Sequence, residues 1–197
     1  MSSNLELSIV IPAHNEVAVI ENTLSSLHSR LEKEQLAFEL IVVNDNSSHG
    51  TIELLDQLRT VYPNIRCINN DPPNGFGLAV RCGLEAAVGE YIAIVMADAS
   101  DADDVVRFFR IPEQEGLVAV FGNRFSKGGV VVDYLLLKRC FNRLTNWIIA
   151  QLFAIRYTAN TNAFKLYRQE TLEGLKPYLS HHFNLTVELP LKVIMWI

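Results

Sequence analysis

The sequence predicts an α/β fold, a mostly parallel sheet with helices on both faces. Three observations predict it. Short apolar runs rich in β-branched residues alternate with longer stretches of helical spacing through the first half of the chain. The apolar runs are continuous rather than alternating, as strands covered on both faces must be. Polar clusters fall at the ends of these runs: "PAHNE" at 12–16, "NDNSS" at 44–48, "MADASD" at 96–101 and "GNRF" at 122–125. In open sheets of this kind ligands bind outside the carboxyl ends of the strands, so the clusters should converge on one site.

Each element has its own signal. Residues 7–13, "LSIVIPA", read as a buried strand, and residues 16–34 carry Val19, Ile20, Leu24, Leu27 and Leu31 at helical spacing. "FELIVVND" at 38–45 is the second strand, and 47–63 the second helix, with Ser47 or Ser48 as N-cap. "IRCINN" at 65–70 is a third, weaker strand, and 75–89 a third helix closed by Gly89. Residues 90–98 form a fourth strand, 101–111 a helix ending before Pro112, and 117–125 a fifth strand. Residues 133–153 are amphipathic, with Leu137, Phe141, Leu144, Ile148 and Leu152 on one face and Lys138, Arg139, Arg143 and Asn146 on another. Further on, 161–168 read as a strand, 169–179 as a helix, and 182–197 as a helical stretch disturbed by Pro190. Two parts are expected, 1–125 and 126–197. The apolar pattern is still rising at Ile197, the pattern of a domain that continues.

Composition narrows the function. At 49% hydrophobic and 20% charged residues over 197 positions, the chain is globular. A net charge of -5 argues against a nucleic-acid partner, which calls for a basic face. Cys67, Cys82 and Cys140 are odd in number and lack CxxC spacing, which reads as reduced, buried thiols in a cytoplasmic protein. The first residues lack the basic and apolar regions of a signal peptide, and no apolar run approaches the roughly 18 residues of a membrane span.

The candidate chemistry lies at the strand ends. Residues 96–104, "MADASDADD", hold four carboxylates that are not equivalent. Asp103 and Asp104 fall in a first helical turn, where acidic residues complement the helix dipole. Asp101 reads equally as helix cap or metal ligand. Asp98 ends an apolar strand and calls for a partner; with a diphosphate supplying further oxygens, one or two carboxylates suffice for Mg²⁺ or Mn²⁺. Asp45 can accept hydrogen bonds from nucleobase N–H groups, or form a turn in its Asn/Asp/Ser cluster. Glu16 follows "PAHN" and points toward the same edge, and Arg124 suits phosphate oxygens.

Seven segments together resemble the family 2 glycosyltransferases, and within them the polyprenyl-phosphate sugar transferases of the dolichyl-phosphate mannosyltransferase type: "VIPAHNE", "VVNDNS", "NGFGLAVRCGLEAAVGEYI", "VMADASD", "GNRF", "TNAFKLYR" and "FNLTVELPL". The resemblance implies a GT-A fold, a nucleotide-sugar-binding part over 1–125 and an acceptor part over 126–197. It implies inverting transfer of a sugar from a GDP- or UDP-linked donor with a divalent cation. Pro12, His14 and Glu16 would line the nucleotide pocket. Asp45 would hold the base beside Val43, Ala97 and Asp98 would meet the donor, and Arg124 its phosphates. Three departures stand out. The usual Asp-Asp reads Asn44-Asp45, and the usual Asp-x-Asp reads Met96-Ala97-Asp98, with Ser100 or Asp101 as substitute metal ligands. The acceptor-side motif opens on Ala159 instead of Asp.

The expected acceptor is a polyprenyl phosphate, whose anionic oxygen needs no general base. A saccharide hydroxyl, as in cell-envelope polysaccharide synthesis, would need one, and Glu188 is the carboxylate nominated. The amphipathic segment 133–153 would lie either at the cytoplasmic face of a membrane or against a core. A sugar-phosphate nucleotidyltransferase would want a Gly-rich loop and a Lys after the first strand, and a dehydrogenase GxGxxG; both are absent. The non-enzymatic alternative is a nucleotide-sugar binder without turnover.

Overall fold

The computed structural model describes residues 5–98, 102–122, 151 and 164–196. In chain order the elements are β1 (Leu7–Ala13), α1 (Val17–Lys33), β2 (Phe38–Asn44), α2 (His49–Val61), β3 (Ile65–Asn69), α3 (Phe76–Ala86), β4 (Tyr91–Ile94), α4 (Ala102–Glu115), β5 (Ala119–Phe121), β6 (Lys165–Arg168), α5 (Gln169–Gly174) and α6 (Leu185–Trp196). They build one six-stranded sheet of order β3-β2-β1-β4-β6-β5. β1 to β4 run parallel, β6 is antiparallel to both its neighbours, and so β5 rejoins the direction of the first four. The predicted α/β architecture stands. The sheet takes β6 from beyond residue 125, so the two expected parts share it.

Continuous apolar strands explain the layering. Leu7, Ile9, Ile11, Leu40 and Val42 face α1, α2 and α4, while Val10, Ile41 and Val43 face α3, α5 and α6. Successive side chains on a strand alternate faces, so a strand covered on both sides must be apolar throughout. Ion pairs then fasten α1 to α4: Arg30 pairs with both Glu34 and Asp103, and Arg110 reaches Glu34 at 3.4 Å.

Several element boundaries differ from expectation, and three of them bear on the site and its support. α3 ends at Ala86, not at Gly89. Gly89 is required for another reason: a Cβ there would lie 2.6 Å from Ser8 N. α4 continues through the buried Pro112 to Glu115 and stops at Gly116, whose φ of +66° favours glycine. β4 ends at Ile94 rather than Asp98. The last difference shapes the site. β1 stays paired with β2 to Ala13↔Asn44 but with β4 only to Val10↔Ile94. β4 therefore parts from β1 before β1 ends. The parting lies where the connections leaving β1 and β4 run to opposite sides of the sheet, the position at which α/β sheets bind ligands.

Among the described residues no helix is long and apolar enough to cross a membrane. Cys67 and Cys82 are free and partly buried rather than buried, and burial pushes both thiols up. Cys140 and the amphipathic segment 133–153 lie outside the described residues.

Candidate active site

The loops leaving β1, β2 and β3 are stitched together by polar side chains. His14 Nδ1 donates to the Asp45 carbonyl at 2.7 Å, and Asn15 Nδ2 donates to His14 Nε2 at 3.2 Å. A carbonyl only accepts, so the His14 proton sits on Nδ1. The Asn15 N–H donates to Ser47 Oγ (3.1 Å), Ser47 Oγ to the Ala13 carbonyl (3.2 Å), and the Ser48 N–H to Asn15 Oδ1 (2.7 Å). Asn15 and Asn46 hold φ near +59° and +56°, a region Asn tolerates better than most residues. Ser48 occupies the N-cap position of α2, but its side chain makes no capping bond.

The second layer of the stitching reaches β3 and α3. Asn44 Nδ2 donates to Asn69 Oδ1 at 2.9 Å, while Asn44 Oδ1 accepts the Ser47 N–H at 3.0 Å. An amide both donates and accepts, which a carboxylate cannot do, so Asn44 suits this position. Asp45 is buried and accepts from Asn70 Nδ2 at 2.7 Å and from the Gly75 N–H at 3.0 and 3.1 Å. Gly75, with φ of +144°, is the N-cap residue of α3. Two residues on, a Cβ at Gly77 would lie 2.5 Å from the His182 carbonyl, so the start of α3 is held between Asp45 and the 181–182 segment.

The remaining expected residues are placed as follows. Pro12 is buried in β1, and Ala97 is buried with its carbonyl accepting from Thr23 Oγ1 at 2.6 Å, tying the turn after β4 to α1. Asp98 is exposed in that turn, with no hydrogen bond or ion pair to its carboxylate among the described residues. Glu16 is partly exposed at the N-cap of α1 and makes no side-chain cap. The Val43 side chain is fully buried against the sheet-facing side of α3, where a Cβ at Gly83 would lie 3.0 Å from Val43 Cγ2. It packs in the core and not in the crevice. Ser100, Asp101 and Arg124 lie outside the described residues.

Glu188 differs from its expected role as a base. Its oxygens accept from the Leu179 N–H (2.8 Å), the Ser180 N–H (2.6 Å) and Lys192 Nζ (2.7 Å). Burial pushes its carboxyl up, but Lys192 and the two backbone N–H groups outweigh burial and hold it down at about 2. A carboxylate so occupied is a poor proton acceptor; it pins the loop ahead of α6.

Two features had no clear sequence signal. Asn70 looks like an ordinary strand-end residue, and its bond to Asp45 forms only in the folded sheet. Lys165, at the start of β6, is fully buried opposite Ile94, and desolvation lowers its pKa to about 7. A lysine inside "AFKLYR" was the one visible hint.

Among the described residues no group of three or more His, Cys, Asp or Glu side chains could cage a metal ion. Asp98 nonetheless fits a hard cation that takes most of its oxygens from a diphosphate, because it is ionisable, exposed and unengaged.

A parallel nucleotide-type sheet with polar loops gathered at its carboxyl edge defines a class of proteins that bind ligands in a β1/β4 crevice. Residues 8–175 match the profile of Glycosyl transferase family 2, and the chain belongs to that family. It is 26% identical over 176 residues to the uncharacterized glycosyltransferase YkcC of Bacillus subtilis, covering 89% of this chain and 53% of that one. It is 28% identical over 173 residues to the "Probable glycosyltransferase YdaM" of the same organism, covering 86% and 39%. The chain thus spans about half the length, or less, of these relatives. In fold it resembles glucosyl-3-phosphoglycerate synthase of Mycobacterium tuberculosis, solved with Mn²⁺, UDP and phosphoglyceric acid (TM-score 0.73, 19% identity, 98% of this chain and 65% of that one). It also resembles the mannosyltransferase PcManGT of Pyrobaculum calidifontis, solved with GDP-Man and Mn²⁺ (TM-score 0.61, 17% identity, 90% and 48%). These likenesses bear on the GT-A fold.

Proposed function

We propose that the chain is the nucleotide-sugar-binding part of an inverting glycosyltransferase that uses Mg²⁺ or Mn²⁺. The observation that carries this reading is the stitched edge, where Asp45, His14 and Asn15 are held in one framework beside the parting of β4 from β1. Asp45 receives the base, Pro12, His14 and Glu16 border the nucleotide, and Asp98 faces its diphosphate. Arg124 and either Ser100 or Asp101 complete that end by the family resemblance.

In the proposed reaction an acceptor oxygen forms a bond to the anomeric carbon from the side opposite the diphosphate. The bond to the diphosphate oxygen breaks, and the nucleoside diphosphate leaves with the electron pair. What catalysis must stabilise is the charge growing on that leaving group. A divalent cation on Asp98, when bound, supplies the Lewis acidity that spreads this charge. The described residues orient the donor: the His14 ring and the Asp45 carboxylate are locked by their neighbours, so the base end is set in place before binding. With a phosphate acceptor no proton has to be removed; the polyprenyl-phosphate acceptor itself rests on the sequence resemblance. With a hydroxyl acceptor the proton goes to a base other than Glu188, whose oxygens are occupied.

A second reading, binding without turnover, is favoured by Met96 at the position where the family carries another carboxylate. Thermal-shift measurements with UDP, GDP and their sugars, with and without Mn²⁺, test the first claim. A rise of several degrees for one nucleotide, enlarged by Mn²⁺, is expected; no rise for any of them refutes the site. Donor hydrolysis under the same conditions then separates enzyme from binder.

A further inference from the structure

A serine or threonine hydroxyl inside a helix commonly bonds a carbonyl of its own helix. Ser25 Oγ does so, donating to the Asn22 carbonyl at 3.1 Å, and so does Thr60 Oγ1, donating to the Gln57 carbonyl at 2.6 Å. Thr23, on α1, does not. Its Oγ1 donates at 2.6 Å to the Ala97 carbonyl, 74 positions along the chain.

The acceptor stands where the sheet lets go of the backbone. β4 pairs with β6 as far as Ile94↔Lys165, and the Val95 N–H donates to the Val10 carbonyl at 3.0 Å. Past that point, among the described residues, Thr23 supplies the only hydrogen bond to residues 97 and 98. The Ala97 side chain is 2% exposed and packs in the layer of α1 and α4. The Ala97 carbonyl and the Asp98 N–H share one planar peptide unit. A bond to that carbonyl therefore fixes the plane from which the exposed Asp98 side chain departs.

We infer that Thr23 is a positioning residue for divalent-cation binding: its hydroxyl, through the Ala97 carbonyl, holds Asp98 where a cation on the donor diphosphate meets it. The inference rests on the reading of Asp98 as the carboxylate that meets the cation. Thr23 acts through the peptide and not by contact with the cation. Its β-branched side chain has few rotamers in a helix, so the hydroxyl is aimed before any ligand arrives. A carboxylate free to swing with its peptide has to be ordered on binding, which weakens its hold on the cation.

Isothermal titration of the 197-residue chain with UDP and with GDP, each in the presence and absence of Mn²⁺, tests this. The readout is the ratio of the two affinities, with and without Mn²⁺, for the nucleotide that binds more tightly. In Thr23→Val this ratio is expected to fall toward one, by about tenfold, while affinity without Mn²⁺ stays as it was. Thr23→Ser keeps the hydroxyl and should keep the ratio. An unchanged ratio in folded Thr23→Val overturns the inference, as does an equal loss in Thr23→Ser, or a fall in affinity that is the same with and without Mn²⁺. If Thr23→Val loses its melting transition, Thr23→Ala is read in the same way; loss of folding in both makes the residue a structural one and also overturns the inference. Asp98→Ala separates this inference from the reading beneath it. A Mn²⁺ enhancement that survives Asp98→Ala overturns the metal role of Asp98, whereas one lost in Asp98→Ala but kept in Thr23→Val overturns only the role of Thr23. Failure of both nucleotides to bind overturns the proposed function as well.

Discussion

The two edges of the sheet each bury a carboxylate, and they treat it differently. At the amino edge Glu39 is 4% exposed; it accepts from Ser8 Oγ at 2.6 Å, the Val88 N–H at 3.1 Å and Arg66 Nη1 at 2.6 Å. Its charge is matched by a guanidinium and its oxygens are closed off. At the carboxyl edge Asp45 is 8% exposed and accepts only from neutral donors, with no cation paired to it among the described residues. Taking an ion out of water costs several kcal/mol, a cost offset by good pairing. Glu39 has that pairing. Asp45 lacks it and keeps acceptor positions open, which makes the carboxyl edge the side suited to a ligand.

The contrast can be broken experimentally. Glu39→Ala should have the largest effect, lowering unfolding free energy by about 2–3 kcal/mol in urea titration, because it removes the buried acceptor shared by Ser8 Oγ, the Val88 N–H and Arg66. The part of the population that stays folded should still bind nucleotide. Glu188→Gln comes next, at about 1–2 kcal/mol at neutral pH. Glu188 lies at about 2 in the folded chain against 4.5 for an ordinary glutamate. Its contribution is therefore full above about pH 4.5 and is lost as pH falls toward 2. The variant should flatten that acid limb, and an unchanged limb would assign the pH dependence elsewhere. Asp45→Asn should be the mildest in stability, at about 1 kcal/mol or less, yet should remove any nucleotide-induced thermal shift. If Asp45→Asn proves as destabilising as Glu39→Ala, the two edges are alike and the contrast fails.

Much of this was legible before folding, and the exceptions have physical causes. The strands β1 and β2 are plain because burial on both faces writes an unbroken apolar run. The polar residues clustered at strand ends do gather along the carboxyl edge of the sheet. Gly89 misled because its reason is tertiary: it makes room for Ser8, eighty-one positions earlier in sequence, and a local stop signal resembles that need. Pro112 misled because losing one helical bond did not outweigh the packing of a buried face, and α4 ran on until Gly116. The fate of Asn44, Asn69 and Asn70 could not be read at all, since their bonds join elements that are distant along the chain. For Glu188 the i,i+4 lysine, Lys192, is legible in the sequence, but the Leu179 and Ser180 N–H groups that close its oxygens meet it only in the fold.

The order of strands also bears on how the protein is made. β5 ends at Phe121, but it touches the rest of the sheet only through β6, which begins at Lys165. A nascent chain released from the ribosome as far as Phe121 therefore presents β4 as a bare, apolar edge, the kind of surface through which unfinished sheets aggregate. Completion of the sheet waits on a segment translated well after the loops of the carboxyl edge, which leaves those loops assembled on four strands, two short of the final six.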